Sequence, residues 1–347
     1  MHNKSEKIQQ FIIENVENHP RDIAFLAATK FQVTRQAINK HVRNLINKNI
    51  LTETGSTRAK SYLLFSHILI SKMYPIEEKL AEDRVYALDI LPNLKILKLS
   101  KNVEGRCHYC FTEIFNNAID HSEGTVISLL LSYDERYIKI VIDDNGVGIF
   151  KKIMHRFNLE DERVAILELS KGKLTTAPKM HSGEGIFFSS RISDRFMISS
   201  HHLDFLGGES FDTQFEKIDE TVGTQVFMKI LRNSERTAKE VFDTFASEDD
   251  ADYGFTVTHI PVELAKIGEE NLVSRSQAKR LLARLDKFRE VALDFTGVSV
   301  IGQSFADEIF RVFRNEHPNI HIWHFNANAE VTQMIKRAEF ARSQSTE

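Results

Sequence analysis

The sequence predicts a multidomain α+β protein of three modules, and three observations lead there. The chain has 347 residues, enough for two or three domains at roughly 100–200 residues each. Its charge is uneven: residues 1–63 hold ten Lys and Arg against five Asp and Glu, a balance of +5, so the rest of a chain of net charge −4 carries −4 − 5 = −9. A basic terminal module on an acidic body suits a chain in which only that module meets a polyanion. The hydrophobic pattern also changes twice, from helical stripes and a hairpin, through a long helix and strands, to strands alternating with helices. Apolar residues make up 42% and charged residues 27%, which excludes a disordered or fibrous chain. No run approaches the ~18 apolar residues of a membrane-spanning helix. The opening MHNKSEKIQQ is too polar for a secretory signal, and two cysteines cannot staple a chain of this size. Cytoplasmic localisation is expected, with no membrane partner.

In residues 6–17, Ile8, Phe11, Ile12 and Val16 recur at helical spacing. Pro20 opens a second helix, RDIAFLAATKF, because its fixed φ and missing N–H suit a first turn. Thr34 can cap a third, TRQAINKHVRNLINK, whose buried stripe is Ala37, Ile38, Val42, Leu45 and Ile46. The opposite face carries Arg35, Gln36, Asn39, Lys40 and Arg43. ILTETGSTRAKSYLL then reads as a hairpin, with Gly55 in its turn and Arg58 and Lys60 beside it. Three helices and a basic hairpin over residues 1–65 resemble the winged helix-turn-helix of bacterial transcription regulators. The resemblance implies double-stranded DNA as partner. Arg35, Gln36 and Asn39 would reach base edges in the major groove, beside Lys40, while Arg43, Arg58 and Lys60 would meet phosphates. A merely solvated charged face would give the same pattern, as would a winged helix used for protein docking or dimerisation.

Residues 66–100 read as a connector and the start of the next unit. Within FTEIFNNAIDH, Glu113 and Asn117 stand four apart and so project from one helix face. Two strands follow, the second ending in Asp143-Asp144-Asn145-Gly146-Val147-Gly148; His181-Ser182-Gly183-Glu184-Gly185 comes later, and Gly223-Thr224 opens the strand TQVFMKI. Each piece alone is commonplace: a solvated helix face, a turn, a Gly-x-Gly. Their order and spacing over residues 76–232 resemble the ATP-binding domain shared by gyrase, the chaperone of the ninety-kilodalton class, histidine kinases, MutL and the anti-sigma-factor serine kinases (the GHKL superfamily), and most nearly its anti-sigma kinase branch.

That resemblance implies an α/β sandwich with helices on one face of a mixed sheet, and ATP with Mg²⁺ as cofactors. Asp144 would accept the adenine amine, Gly146 and Gly148 would let the backbone approach the purine, and Thr224 would support the pocket. Asn117 would ligate Mg²⁺ through its amide oxygen. Glu113 would act as the catalytic base on the nucleophile, and on the metal through water. The N–H groups of Gly183, Glu184 and Gly185 would cradle phosphates, although the charge of Glu184 departs from what a phosphate loop wants. The segment 149–182 would be a lid, with Lys171, Lys173 and Lys179 as candidate phosphate partners. Histidine kinase activity does not fit, because neither His41 nor His67 has the surroundings of a phospho-acceptor. Cys107 and Cys110 have zinc-like spacing but no second pair.

Residues 233–254 read as a linker, and 255–340 as alternating strands and helices of a small open α/β domain. LDFTGVSVIGQSFADEIF resembles the central segment of the STAS fold, the anti-sigma-antagonist domain. There the resemblance implies Ser304 as a phospho-acceptor, although Gly302 and Gln303 stand where the family has an acidic Asp-Ser; as a helix cap, Ser304 would contribute about 1 kcal/mol. The three modules together suggest an ATP-controlled transcriptional regulator in which Mg-ATP binding or hydrolysis governs winged-helix DNA binding through the STAS-like domain. The alternatives are a serine protein kinase acting on its own or a partner STAS domain, and an ATP-driven clamp in a larger assembly. Candidate protein partners are a STAS or sigma-type regulatory protein and a second copy of the chain.

Overall fold

The computed structural model describes residues 4–56, 59–174, 183–208, 213–246, 254–268 and 270–343. The chain is a multidomain α+β protein. Helices α1 (Lys4–Asn15), α2 (Ile23–Phe31) and α3 (Arg35–Asn47) and the antiparallel hairpin β1 (Leu51–Thr54) and β2 (Ser61–Leu64) close around their own core. Thr34 caps α3, its hydroxyl accepting from the Ala37 N–H at 3.2 Å. Ile38, Val42 and Leu45 of α3 are buried against Ile12, Val16, Ile23 and Ala27.

The central unit begins earlier than the sequence suggests. β3 (His67–Pro75), expected in the connector, is an edge strand of the central sheet. Helix α4 (Glu82–Val85), a π-helical turn at Tyr86–Ile90 and α5 (Leu91–Ile96) lead to the long α6 (Lys101–His121), capped by Ser100. Then come β4 (Val126–Tyr133), β5 (Tyr137–Asp144), α7 (Ile149–Phe157), α8 (Glu162–Lys171), α9 (Gly185–Ile192), β6 (Arg195–Gly208) and β7 (Thr213–Leu231). The strand order is β3-β4-β5-β7-β6, and every pairing is antiparallel. The expected mixture of strand directions therefore lies between sheets, not within the central one. β7 also runs through Gly223-Thr224 instead of starting there.

Phe111, Ile114 and Phe115 of α6 pack with Ile140, Ile142 and Met228 of the sheet. Within the segment expected as a lid, α8 buries Val164, Ala165, Ile166, Leu167 and Leu169; a helix apolar on so many sides packs between domains, and its Leu169 also lines the cavity of the central unit. Residues 175–182 of that segment lie outside the described residues.

The expected linker contains a helix of its own: α10 (Ala238–Thr244) is capped reciprocally by Thr237 and Glu240, buries Val241, and sets Phe242 against Tyr109 of α6 and Phe188 of α9. The C-terminal domain comes after it. β8 (Val257–Pro261), α11 (Arg275–Leu282), β9 (Glu290–Asp294), α12 (Gln303–Asp307), α13 (Arg314–Glu316), β10 (His321–Phe325) and α14 (Ala329–Ser343) follow. The sheet is parallel, in the order β10-β9-β8. Its core is continuous with that of the central unit. Phe187 and Phe188 of α9 lie 4.5 and 5.0 Å from Phe255, and Phe255 lies 5.3 Å from Phe288. Among the described residues no helix is long and apolar enough to cross a membrane.

Candidate functional site

A cavity of about 310 Å³ opens between α6, the ends of β5 and β7, α7 and the start of α9. Seven of the residues singled out in the central unit line it: Glu113, Asn117, Asp144, Gly148, Gly183, Gly185 and Thr224. Glu113 and Asn117 come from one face of α6. Asp144 and Thr224 meet because β5 and β7 pair in a register that sets them opposite each other.

Asp144 is only 7% exposed. Its Oδ1 accepts the Gly146 N–H at 2.9 Å and the Thr224 N–H at 3.3 Å. Burial raises its carboxyl above the ordinary carboxylate range, against the pull of those N–H groups. Two glycines allow this corner to close. Gly223 has φ +73°, and a Cβ there would stand 2.0 Å from the Asp144 carbonyl oxygen. Gly148 has φ +85°, and its Cβ would meet Ser200 Oγ at 2.6 Å. Thr224 Oγ1 accepts the Ile149 N–H at 3.0 Å, joining the strand to the start of α7.

Two expected residues stand apart from the lining. Gly146 is crowded by the protein itself: a Cβ there would lie 2.0 Å from the Ser122 carbonyl. Glu184 precedes α9 without capping it. The neighbouring Asn145 is a clamp: its Oδ1 accepts the Thr125 and Val126 N–H groups at 2.8 and 3.1 Å, tying the loop after α6 to the end of β5.

Glu113 reaches the start of α9 so closely that a Cβ on Gly185 would stand 2.2 Å from its Oε2. A carboxylate at that helix N-terminus suits the local dipole. The Asn117 amide has no hydrogen-bond partner among the described residues, and an amide oxygen is a hard donor suited to Mg²⁺. Among the described residues no cluster of three or more His, Cys, Asp and Glu could hold a metal alone. Mg²⁺ here would depend on Asn117 and on oxygens brought by a ligand.

The lysines expected on a lid are engaged elsewhere. Lys171 is 2% exposed, and its Nζ donates to Glu168 Oε1 at 2.7 Å and to the Ala283 and Arg280 carbonyls at 2.9 and 3.1 Å. Burial lowers its pKa. Lys173 donates to the Lys287 carbonyl at 3.0 Å. Both face the C-terminal domain, so neither is available to phosphate in this arrangement. Lys179 lies outside the described residues, as does Arg58. The sequence reading overlooked Lys152, Asn116 and His121, which also line the cavity. Lys152 could have been found from its place four residues after Gly148, one turn into the helix that the glycine opens.

On the N-terminal module, Arg35, Gln36, Asn39, Lys40 and Arg43 are all exposed. The Arg35 guanidinium lies 4.7 Å from the centre of the exposed Phe25 ring. Lys60 pairs with Glu53 at 2.7 Å across the hairpin and is thereby partly occupied. On the C-terminal domain Ser304 is exposed, but it is not a cap: Gly302 takes that position and Ser304 is the second residue of α12. Cys107 and Cys110 are free and buried, and burial pushes the Cys110 thiol up to about 12, so they are inert packing residues.

A family model described as a STAS-like domain of unknown function (DUF4325) matches residues 277–332. That span runs from α11 into α14 and includes Ser304. A search of curated proteins finds no match.

Proposed function

We propose that the chain is an ATP-responsive DNA-binding regulator: Mg-ATP binds the central cavity of a GHKL-type domain and changes how a winged helix-type N-terminal module meets DNA. The observation that supports this best is the convergence of Glu113, Asn117, Asp144, Gly148, Gly183, Gly185 and Thr224, scattered over more than a hundred residues, on one cavity. Asp144 Oδ2 accepts the adenine amine, its Oδ1 being held by two N–H groups. Asn117 offers its amide oxygen to Mg²⁺, whose charge would screen the phosphates. Glu113, one turn away, orients a nucleophile and takes its proton. The exposed basic face of α3 meets DNA.

Titration calorimetry with Mg-ATP should give saturable heat that disappears in Asp144→Ala. Operator affinity should then change several-fold with Mg-ATP, since a ligand moves an equilibrium only by its differential affinity for the two states. Equal DNA affinities with and without nucleotide would eliminate the coupling, and absence of heat would eliminate the pocket. A second reading, serine kinase activity, is favoured by the exposure of Ser304 within the STAS-like segment. Labelled γ-phosphate retained by wild type and lost in Ser304→Ala would establish it.

A further inference from the structure

Lys152 brings to the cavity a charge that the other assigned residues lack. It lies on α7, one turn beyond Gly148, and its Nζ donates to the His121 carbonyl at 2.7 Å and pairs with Glu123 at 2.8 Å. Its side chain is 21% exposed and lines the cavity wall. His121 ends α6 and stands four residues beyond Asn117, which puts the two on one helix face, with Cβ atoms about 5–6 Å apart. The ammonium is therefore parked within a turn of the residue assigned to the metal, against the negatively polarised end of a helix.

The balance of charge around the cavity gives Lys152 its significance. Among the described lining residues it is the only lysine or arginine, whereas Glu113 and Asp144 are carboxylates. A nucleoside triphosphate stays anionic with one Mg²⁺ bound, and such a ligand entering an acidic wall needs a mobile cation. The Glu123 partner is 60% exposed, and an ion pair of that kind is cheap to exchange.

We propose that Lys152 is the phosphate-recognising cation of the cavity, moving from the His121 carbonyl and Glu123 onto a phosphate oxygen of a nucleoside di- or triphosphate. This rests on the nucleotide reading above. It is tested by calorimetry of adenosine, Mg-ADP and Mg-ATP binding to wild type, Lys152→Met and Lys152→Arg. Lys152→Met should weaken both phosphorylated ligands at least ten-fold and leave adenosine unchanged, and Lys152→Arg should restore most of the loss. Wild type that binds none of the three ligands overturns the nucleotide reading and this proposal with it. If wild type binds all three while Lys152→Met binds each as well, or loses all three alike, the lysine is only a strut between α7 and α6 and the proposal falls alone.

Discussion

Glu17, just after α1, accepts from Lys229 at 2.8 Å and lies 3.9 and 4.0 Å from Arg136 and Arg195. Lys139, Lys229 and Arg195 are cross-strand neighbours on β5, β7 and β6, a row of like charges that is unfavourable unless neutralised. Asp134 answers Lys139 at 2.6 Å, and Glu17 of the N-terminal module answers the others. Arg136 also donates to the Glu14 carbonyl at 2.8 Å. Elsewhere, the buried Lys171 and Glu168 and the half-buried Arg284 form a network between α8 and the C-terminal domain, near the Phe187, Phe188, Phe255 and Phe288 cluster. One neighbour is held by charge across two separate cores, and the other shares a core. The difference teaches which part can move: the N-terminal module can lift away without opening its own core, and the C-terminal domain cannot. The helix carrying Lys171 also carries Leu169 in the cavity wall, so the C-terminal domain is in a position to stiffen the site.

The sharpest way to break this comparison is Phe255→Ala. It should cost about 3–5 kcal/mol, as Phe truncations in cores do, and lower the unfolding of central and C-terminal parts together in one calorimetric transition. Two separated transitions would mean that the core is not shared. Lys171→Met should come next, at roughly 3 kcal/mol, because it strips Glu168 of one of its buried partners; adding Glu168→Gln should recover part of that. Burial lowers the Lys171 pKa, so between that lowered value and 10.5 the unfolded chain binds more protons than the folded one. Stability from this residue therefore rises with pH across that window, and the rise should be missing from denaturant midpoints of Lys171→Met.

The electrostatic side should respond more weakly. Glu17→Lys places a like charge among Lys229, Arg136 and Arg195, and should loosen the N-terminal module more than it unfolds either core, speeding proteolytic cleavage near residues 65–67 markedly. Wild type in 1 M salt should behave similarly, since the screening length falls from ~10 Å at 0.1 M to ~3 Å. Unchanged cleavage in both would show that the module is held by something other than charge. The smallest effect is expected for Asp144→Asn, which keeps an acceptor for the Gly146 and Thr224 N–H groups while removing a carboxylate that burial disfavours. Its melting temperature should not fall, even as nucleotide heat is lost, and both attachments should survive intact.

Much of the local structure was legible in the chain because local structure answers to neighbours in sequence. Thr34 before an amphipathic run, Gly55 in a hairpin and Glu113 with Asn117 at four-residue spacing each state their own geometry. The Asp144 and Thr224 pairing was legible only as two separate boxes, because a register across β5 and β7 is set by sheet formation. The charges at Glu168 and Lys171 were not legible for the opposite reason. In the sequence they suggest a solvated face, whereas they neutralise each other inside an interface whose other half lies more than a hundred residues away.

The sequence by itself determined many of the helices and turns and the residues from which a cavity could be built, since caps, periodicity and glycine conformation act over a few residues. Only the tertiary structure decided that the first module is fastened by charge and the last by a common core, that β3 belongs to the central sheet, and that Lys152 faces the cavity while Lys171 does not. Those outcomes depend on desolvation and on partners distant along the chain, and neither is written in the spacing of side chains.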